Sequence, residues 1–89
     1  MERFIKRVSL VCITDGSYIV TMKKEQEKEV IKILEKKCKI LERIEGVLIR
    51  FEYNGVEIEY LDGSGKLIVR GVTGNVKNVL KAILLNSNA

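Results

Sequence analysis

The chain has 89 residues, of which 46% are hydrophobic and 31% are charged, and its formal net charge is +4. This composition is typical of one globular domain, residues 1–89, and excludes a disordered chain. Histidine is absent, which excludes the commonest general base and metal ligand, and no apolar run approaches the ~18 residues of a membrane-spanning helix.

The first third of the chain predicts a β-hairpin and an amphipathic helix. Residues 7–13 and 18–22 are rich in β-formers and flank "TDGS", so we expect a hairpin that turns at Asp15-Gly16. Residues 23–38 are strong helix formers with one apolar stripe. Because "MERFIKRVSLVCI" alternates like a strand and lacks a cleavage site for a signal peptide, we expect a cytoplasmic protein.

The rest of the chain predicts four strands and a closing helix. The strands are "KILERIE", "VLIRFEY", "VEIEYL" and "KLIVRGV", separated by turns at Gly46, Asn54-Gly55 and "DGSG". The helix "TGNVKNVLKAILL" follows, with Thr73 as its expected N-cap. The predicted class is α+β, in the order β-β-α-β-β-β-β-α, with an antiparallel sheet of five to six strands and both helices on one face.

A two-residue loop at Asn54-Gly55 also fixes which side chains share a face of the sheet. It pairs Tyr53 with Val56, Phe51 with Ile58 and Ile49 with Tyr60, so these six apolar side chains face the helices. The opposite face is then charged and balanced, with no aromatic side chain. Its members are Arg50, Glu52, Glu57, Glu59, Lys66 and Arg70.

The segment "SGKLIVRGVTGNVKNVLKAIL", preceded by "NGVEIEYL", resembles the end of a TATA-binding-protein half-repeat. It is also similar to the TATA-binding-protein-like domain of type-3 ribonucleases H. The resemblance implies a curved antiparallel sheet over residues 17–86, with residues 1–16 as an N-terminal strand extension. It implies that the open face meets duplex DNA or an RNA/DNA hybrid, although here Glu52, Glu57 and Glu59 would repel phosphates there.

Two further sequence features favour structural roles. Four of the seven glycines lie in residues 61–75, but "GSGK" precedes a strand instead of a helix, so turns and a helix cap explain it better than a phosphate-binding loop. Cys12 and Cys38 form no CxxC motif, and we expect both to be small buried residues.

The absence of proline and the abundance of Lys, Glu and Ile are typical of a thermophile.

The basic residues suggest a nucleic-acid partner. Residues 1–45 carry eleven Lys and Arg against eight acids, and Arg3, Lys6 and Arg7 could form a flexible basic arm. We expect a non-catalytic module, without a metal or another cofactor, that contacts the phosphates of RNA or a hybrid duplex. The expected contacts are Lys24, Lys28, Lys32, Lys36, Arg50, Lys66 and Arg70.

The alternative hypothesis is a subunit of a protein assembly. Its sheet face, through Glu52, Glu57 and Glu59, or its edge strands would pair with a second copy or with another protein. Small archaeal-type α+β subunits of tRNA-modification complexes, such as the dimerising KEOPS subunit, have a similar strand–strand–helix ending. No membrane partner is expected under either hypothesis.

Overall fold

The computed structural model describes residues 3–85 and contains six strands and two α-helices. Residue 86, where the TATA-binding-protein-like unit was expected to end, lies outside the described residues. The elements are β1 (Ile5–Cys12), β2 (Ser17–Met22), a 3-10 turn (Lys24–Gln26), α1 (Glu27–Lys37), β3 (Lys39–Ile44), β4 (Leu48–Tyr53), β5 (Val56–Leu61), β6 (Lys66–Arg70) and α2 (Val76–Leu84).

The strands form one antiparallel sheet in the spatial order β1-β2-β6-β5-β4-β3. The predicted α+β class and element order are therefore confirmed. The last strand, β6, inserts between β2 and β5, which leaves β1 and β3 as the two edges. Every neighbouring pair is antiparallel. Because β3, β4, β5 and β6 are consecutive both in the chain and in the sheet, tight turns join each of them to the next.

The register predicted from the Asn54-Gly55 turn is confirmed. Tyr53 pairs with Val56, and Glu52 pairs with Glu57 in the next position. Asn54 adopts a φ of 50° and Gly55 a φ of 83°, as a two-residue hairpin turn with both central residues at positive φ requires. Because side chains alternate along a strand, this one turn assigns every residue of β4 and β5 to a face.

The core lies between the sheet and the two helices. Phe51 and Ile58 from the sheet, Leu34 from α1 and Leu80 from α2 are each at most 2% exposed. These residues belong to one continuous buried cluster, so both helices cover the same face of the sheet. The apolar stripe predicted for the first helix thus faces this core, whereas Lys28, which lies outside the stripe, is exposed.

Three local predictions were wrong. Asn75, and not Thr73, is the N-cap of α2, because its side chain accepts a hydrogen bond from the Lys77 amide at 2.8 Å. Lys6 and Arg7 lie within β1, so they belong to the sheet and not to a flexible arm. Cys12 is only half-buried, since it lies at the end of an edge strand.

The turn of the first hairpin packs against the segment that joins β6 to α2. The Gly71 amide donates to the Asp15 carbonyl at 3.1 Å, and the Val72 amide donates to the Gly16 carbonyl at 3.1 Å. Gly16 has a φ of 61°, and a Cβ there would lie 2.2 Å from the Val72 carbonyl oxygen. Only glycine therefore fits at the point where these two backbone segments meet.

Candidate nucleic-acid interface

The centre of the open sheet face is a network of ion pairs. Arg50 contacts Glu42 at 3.0 Å and Glu57 at 3.1 Å. Arg70 contacts Glu57 at 3.6 Å and Glu59 at 3.5 Å. Two arginines thus share three carboxylates, and the cluster as a whole carries a formal charge of −1.

The two arginines of this cluster already have anionic partners. Hydrogen bonds from its guanidinium to Glu42 and then to Glu57 raise the pKa of Arg50 above its ordinary value. A phosphate would have to displace these carboxylates or bind beside them. Glu42 was not part of the predicted face, because the sequence-based pairing did not include the β3–β4 register.

The open face also carries an apolar row at one end. Ile44, Leu48 and Leu61 lie opposite one another on three adjacent strands, and Ile44 and Leu61 are 43% and 38% exposed. Side chains alternate along a strand, and Leu48 is four residues from Glu52. The sequence alone could therefore have placed Leu48 on the charged face. We call Ile44, Leu48 and Leu61 the apolar row.

Several lysines line two neighbouring grooves beside the β5–β6 turn. Lys6 and Lys24 line a groove that is also lined by Gly63, Ser64 and Gly65 of the β5–β6 turn. Lys28 and Lys32 line the next groove, which shares Gly63 with the first. Lys66 is the register partner of Thr21, which also lines the first groove. We call Lys6, Lys24, Lys28, Lys32 and Lys66 the lysine cluster.

A buried tyrosine holds the beginning of α1 against the β5–β6 turn. The Tyr60 hydroxyl donates to the Glu27 carboxylate and accepts a hydrogen bond from the Gly63 amide at 3.3 Å. Burial and then the hydrogen bond with Glu27 raise the pKa of Tyr60 to about 12. The phenol therefore stays neutral at ordinary pH, and its hydrogen bonds hold Glu27, which lies between Lys24 and Lys28 in the chain, beside the turn.

The structure does not bring all seven predicted contacts together. Lys24, Lys28, Lys32 and Lys66 belong to the lysine cluster, and Lys6, which was predicted only as part of an arm, joins them. Lys36 lies in a different groove, with Arg3, Phe4 and Leu84. Arg50 and Arg70 lie in the ion-pair network, as do Glu57 and Glu59, whereas Glu52 faces Lys39 across the β3–β4 pair.

The glycine-rich segment uses its amides internally. At the strand-to-helix junction, the Gly71 and Val72 amides donate to the turn of the first hairpin, and the Asn75 side chain caps the next helix. In the β5–β6 turn, the Ser64 hydroxyl donates to the Leu61 carbonyl at 2.7 Å and accepts from the Lys66 amide at 3.0 Å. These bonds are those of turns and a helix cap, as the sequence predicts.

The two cysteines are free thiols. Cys38 is buried at the end of α1, and this burial raises the pKa of its thiol to about 11, so it is poorly suited to act as a nucleophile. Within residues 3–85, no three side chains of the kinds that ligate metals are grouped closely enough to hold an ion.

Searches against protein-family models, curated proteins and solved structures find no match for this chain. Neither helix of the described part is long and apolar enough to cross a membrane.

Proposed function

We propose that the protein is a small non-catalytic module that binds RNA or an RNA/DNA hybrid duplex through its backbone phosphates, and that the lysine cluster is the contact surface. The observation that carries this proposal is the convergence of five lysines from three parts of the chain. They come from β1, from the start and middle of the first helical segment, and from β6. Glu27 lines both grooves and Asp62 lines the second, so the five lysines outnumber two carboxylates and leave a local positive charge in a chain whose net charge is mild.

The lysine cluster differs from the arginines of the open face in its availability. None of its five members forms a salt bridge with any residue from 3 to 85, whereas Arg50 and Arg70 each contact two carboxylates. All five lysines are exposed. An exposed, unpaired ammonium group can exchange counterions for a phosphate without breaking an internal contact.

The choice of RNA or a hybrid duplex rests on the resemblance to TATA-binding-protein-like domains. The six-stranded antiparallel sheet with both helices on one face is compatible with that family, and we propose the family assignment on this basis. The binding surface proposed here differs from the open face that the resemblance implies, because Lys66 is the one member of the lysine cluster that is assigned to that face. Glu52, Glu57 and Glu59 on the open face disfavour contact with phosphates, and no exposed aromatic residue is present there to separate base steps.

Salt dependence of binding tests the proposal. Affinity for labelled hybrid, RNA and DNA duplexes should fall with salt, with a slope of roughly −0.9 for each phosphate contacted. Replacing Lys28 and Lys32 by glutamine should reduce that slope by about two units. The matched control replaces Lys77 and Lys81, which are exposed at the same spacing on α2, and should leave the slope unchanged.

Two results would overturn this assignment. The first is the absence of any shift with hybrid, RNA or DNA duplex at low salt. The second is an equal loss of slope in the α2 control pair, because that would show a general charge effect instead of a defined surface. Preference for the hybrid over DNA of the same sequence would support the expected substrate class.

A role in protein assembly is the second candidate, and the apolar row favours it. Solvent-exposed Ile44 and Leu61 next to Leu48 form a contiguous apolar strip beside the ion-pair network, which is the mixed character of a protein-binding surface. In a pull-down from a native extract, nuclease should release the partners whose binding depends on nucleic acid. A partner that survives nuclease but is lost with Leu61→Glu would support assembly through this face.

A further inference from the structure

The first edge strand ends in an exposed apolar segment. Leu10, Val11 and Ile13 are 55%, 56% and 80% exposed, and no charged residue lies between Val8 and Ile13. In an edge strand, backbone amides and carbonyls on the outer side have no strand partner, so the strand can pair with another chain. Apolar exposure and an available backbone edge therefore coincide in β1.

The other edge strand is protected against such pairing. β3 carries Lys39, Glu42 and Arg43 within six residues, and a bulge interrupts its ladder with β4 after Ile40. Arg43 is held by Glu35 of α1 at 2.6 Å, so its guanidinium lies against the neighbouring helix. Charges are a usual device that prevents edge-to-edge association. Both edge strands contain bulges and exposed apolar residues, so the charges of β3 are what distinguish it from the distal half of β1.

We infer that β1 pairs antiparallel with β1 of a second copy of this chain, about a two-fold axis that passes through Ser9. The register of β1 with β2 is regular from Arg7 to Leu10, between two bulges, so this segment offers an undistorted edge. A two-fold axis at Ser9 pairs Val8 of each copy with Leu10 of the other. It therefore produces the same apolar pair twice, as an isologous interface requires.

This register keeps apolar side chains on the helix side of the joint sheet. Val8 packs against the core, and Leu10 pairs with Tyr18, which also packs against the core. A two-fold axis perpendicular to the sheet preserves its faces, so the helices of both copies would lie on one side of a twelve-stranded sheet. Leu10 would be covered by the partner's Val8, which accounts for the exposure of Leu10 in the monomer.

The charges of β1 are compatible with this arrangement. With Ser9 on the axis, the two Arg7 residues are four positions apart along the paired strands, which corresponds to about 14 Å. That separation exceeds the Debye length of about 8 Å at physiological ionic strength. Repulsion between the arginines is therefore small, and each Arg7 lies next to the partner's Val11.

Disulfide trapping tests the register directly. In a background with Cys12→Ser and Cys38→Ala, Ser9→Cys should give a covalent dimer under mild oxidation. Residues that face each other across the axis have Cα atoms about 4.5–5.5 Å apart, within the range that a disulfide spans. Arg7→Cys is the matched control on the same strand and face, and it should remain monomeric on a non-reducing gel because its Cα atoms are too far apart.

Mass in solution provides the second test. Light scattering at high micromolar concentration should give twice the chain mass of 10.1 kDa. Leu10→Glu should restore the monomer, since each interface loses both apolar pairs. Leu41→Glu, the same change at an exposed leucine of β3 (43% exposed), should remain dimeric, and circular dichroism should show that both variants are folded.

The outcomes separate this inference from the proposed function. A monomeric wild-type protein, a dimeric Leu10→Glu variant, or cross-linking of Arg7→Cys in preference to Ser9→Cys would each overturn it. Nucleic-acid binding is read from salt slopes and does not depend on these results. A Leu10→Glu monomer that still binds duplex with the wild-type slope would support both conclusions.

Discussion

The two faces of the sheet show how one register produces two very different surfaces. On the covered face, Phe51 and Ile58 are opposite one another and at most 1% exposed. On the open face, their immediate neighbours Glu52 and Glu57 are also opposite one another but half-buried. The covered face is stabilised by removing apolar surface from water, whereas the open face consists of ion pairs that water partly screens.

This difference indicates where stability and function are separable. Changes on the covered face should alter the free energy of unfolding by several kcal/mol. Changes on the open face should alter the free energy of unfolding little. The side chains of this face are therefore available to bind partners. The lysine cluster and the edge of β1 are likewise exposed, so variants at both surfaces can be tested in folded protein.

The largest expected effect comes from Phe51→Ala. Phe51 is fully buried beneath the helices, and removing its ring leaves a cavity, so we expect a loss of about 3–5 kcal/mol in the free energy of unfolding. The adjacent Glu52→Ala should change it by no more than about 0.5 kcal/mol. Urea denaturation of both variants measures the contrast, and comparable losses at the two positions would show that the faces are misassigned.

The sequence predicted these faces because a two-residue turn leaves no freedom in the pairing that follows it. Asn54-Gly55 determined the partners of β4 and β5, and "DGSG" correctly placed Arg70 beside Glu57. The β3–β4 ladder was not predictable in the same way, because the single glycine of its turn, Gly46, does not specify a loop length as Asn54-Gly55 does. For that reason Glu42, the second partner of Arg50, was missed.

The lysine cluster was predicted only in part, because it depends on contacts between distant segments. Helical spacing placed Lys28 and Lys32 on one stripe, as the sequence indicated. Lys6 joins them through the tertiary position of β1, and Lys66 through the insertion of β6 beside β2. No local pattern reports that insertion, since residues 23–65 separate β2 from β6 in the chain.

An intermediate effect is expected at the tyrosine that joins the covered face to the lysine cluster. Tyr60→Phe removes the hydroxyl that donates to Glu27 and accepts from Gly63. Because one partner is a carboxylate, the loss should be about 1.5–3 kcal/mol. Chemical denaturation at neutral pH measures it, and Tyr53→Phe, at a half-buried tyrosine of the neighbouring strand, serves as the control.

The same tyrosine makes the stability of the protein depend on pH in a defined direction. Its pKa in the folded protein is about 12, against an ordinary value of 10.0, so folding favours the neutral phenol. Its contribution to stability is complete below about pH 10 and is lost as the pH rises through about 12. Wild type and Tyr60→Phe share every other ionisable group, so the difference between their stabilities isolates the tyrosine. A constant difference from pH 9 to 12 would contradict the assigned pKa.

The smallest effect is expected in the ion-pair network of the open face. Arg50→Gln should cost no more than about 1 kcal/mol, because Arg50, Glu42 and Glu57 keep 36%, 46% and 34% of their side-chain surface exposed. High salt should reduce that difference further, whereas it should leave the loss in Phe51→Ala unchanged.

The consequence of Arg50→Gln for binding distinguishes the lysine cluster from the ion-pair network as the surface that contacts phosphates. If the lysine cluster makes the phosphate contacts, Arg50→Gln should leave the salt slope of duplex binding unchanged, while Lys28→Gln with Lys32→Gln lowers it by about two units. A drop of about one unit with Arg50→Gln would show instead that Arg50 leaves its carboxylates to meet a phosphate. The open face would then be the nucleic-acid surface despite its three glutamates.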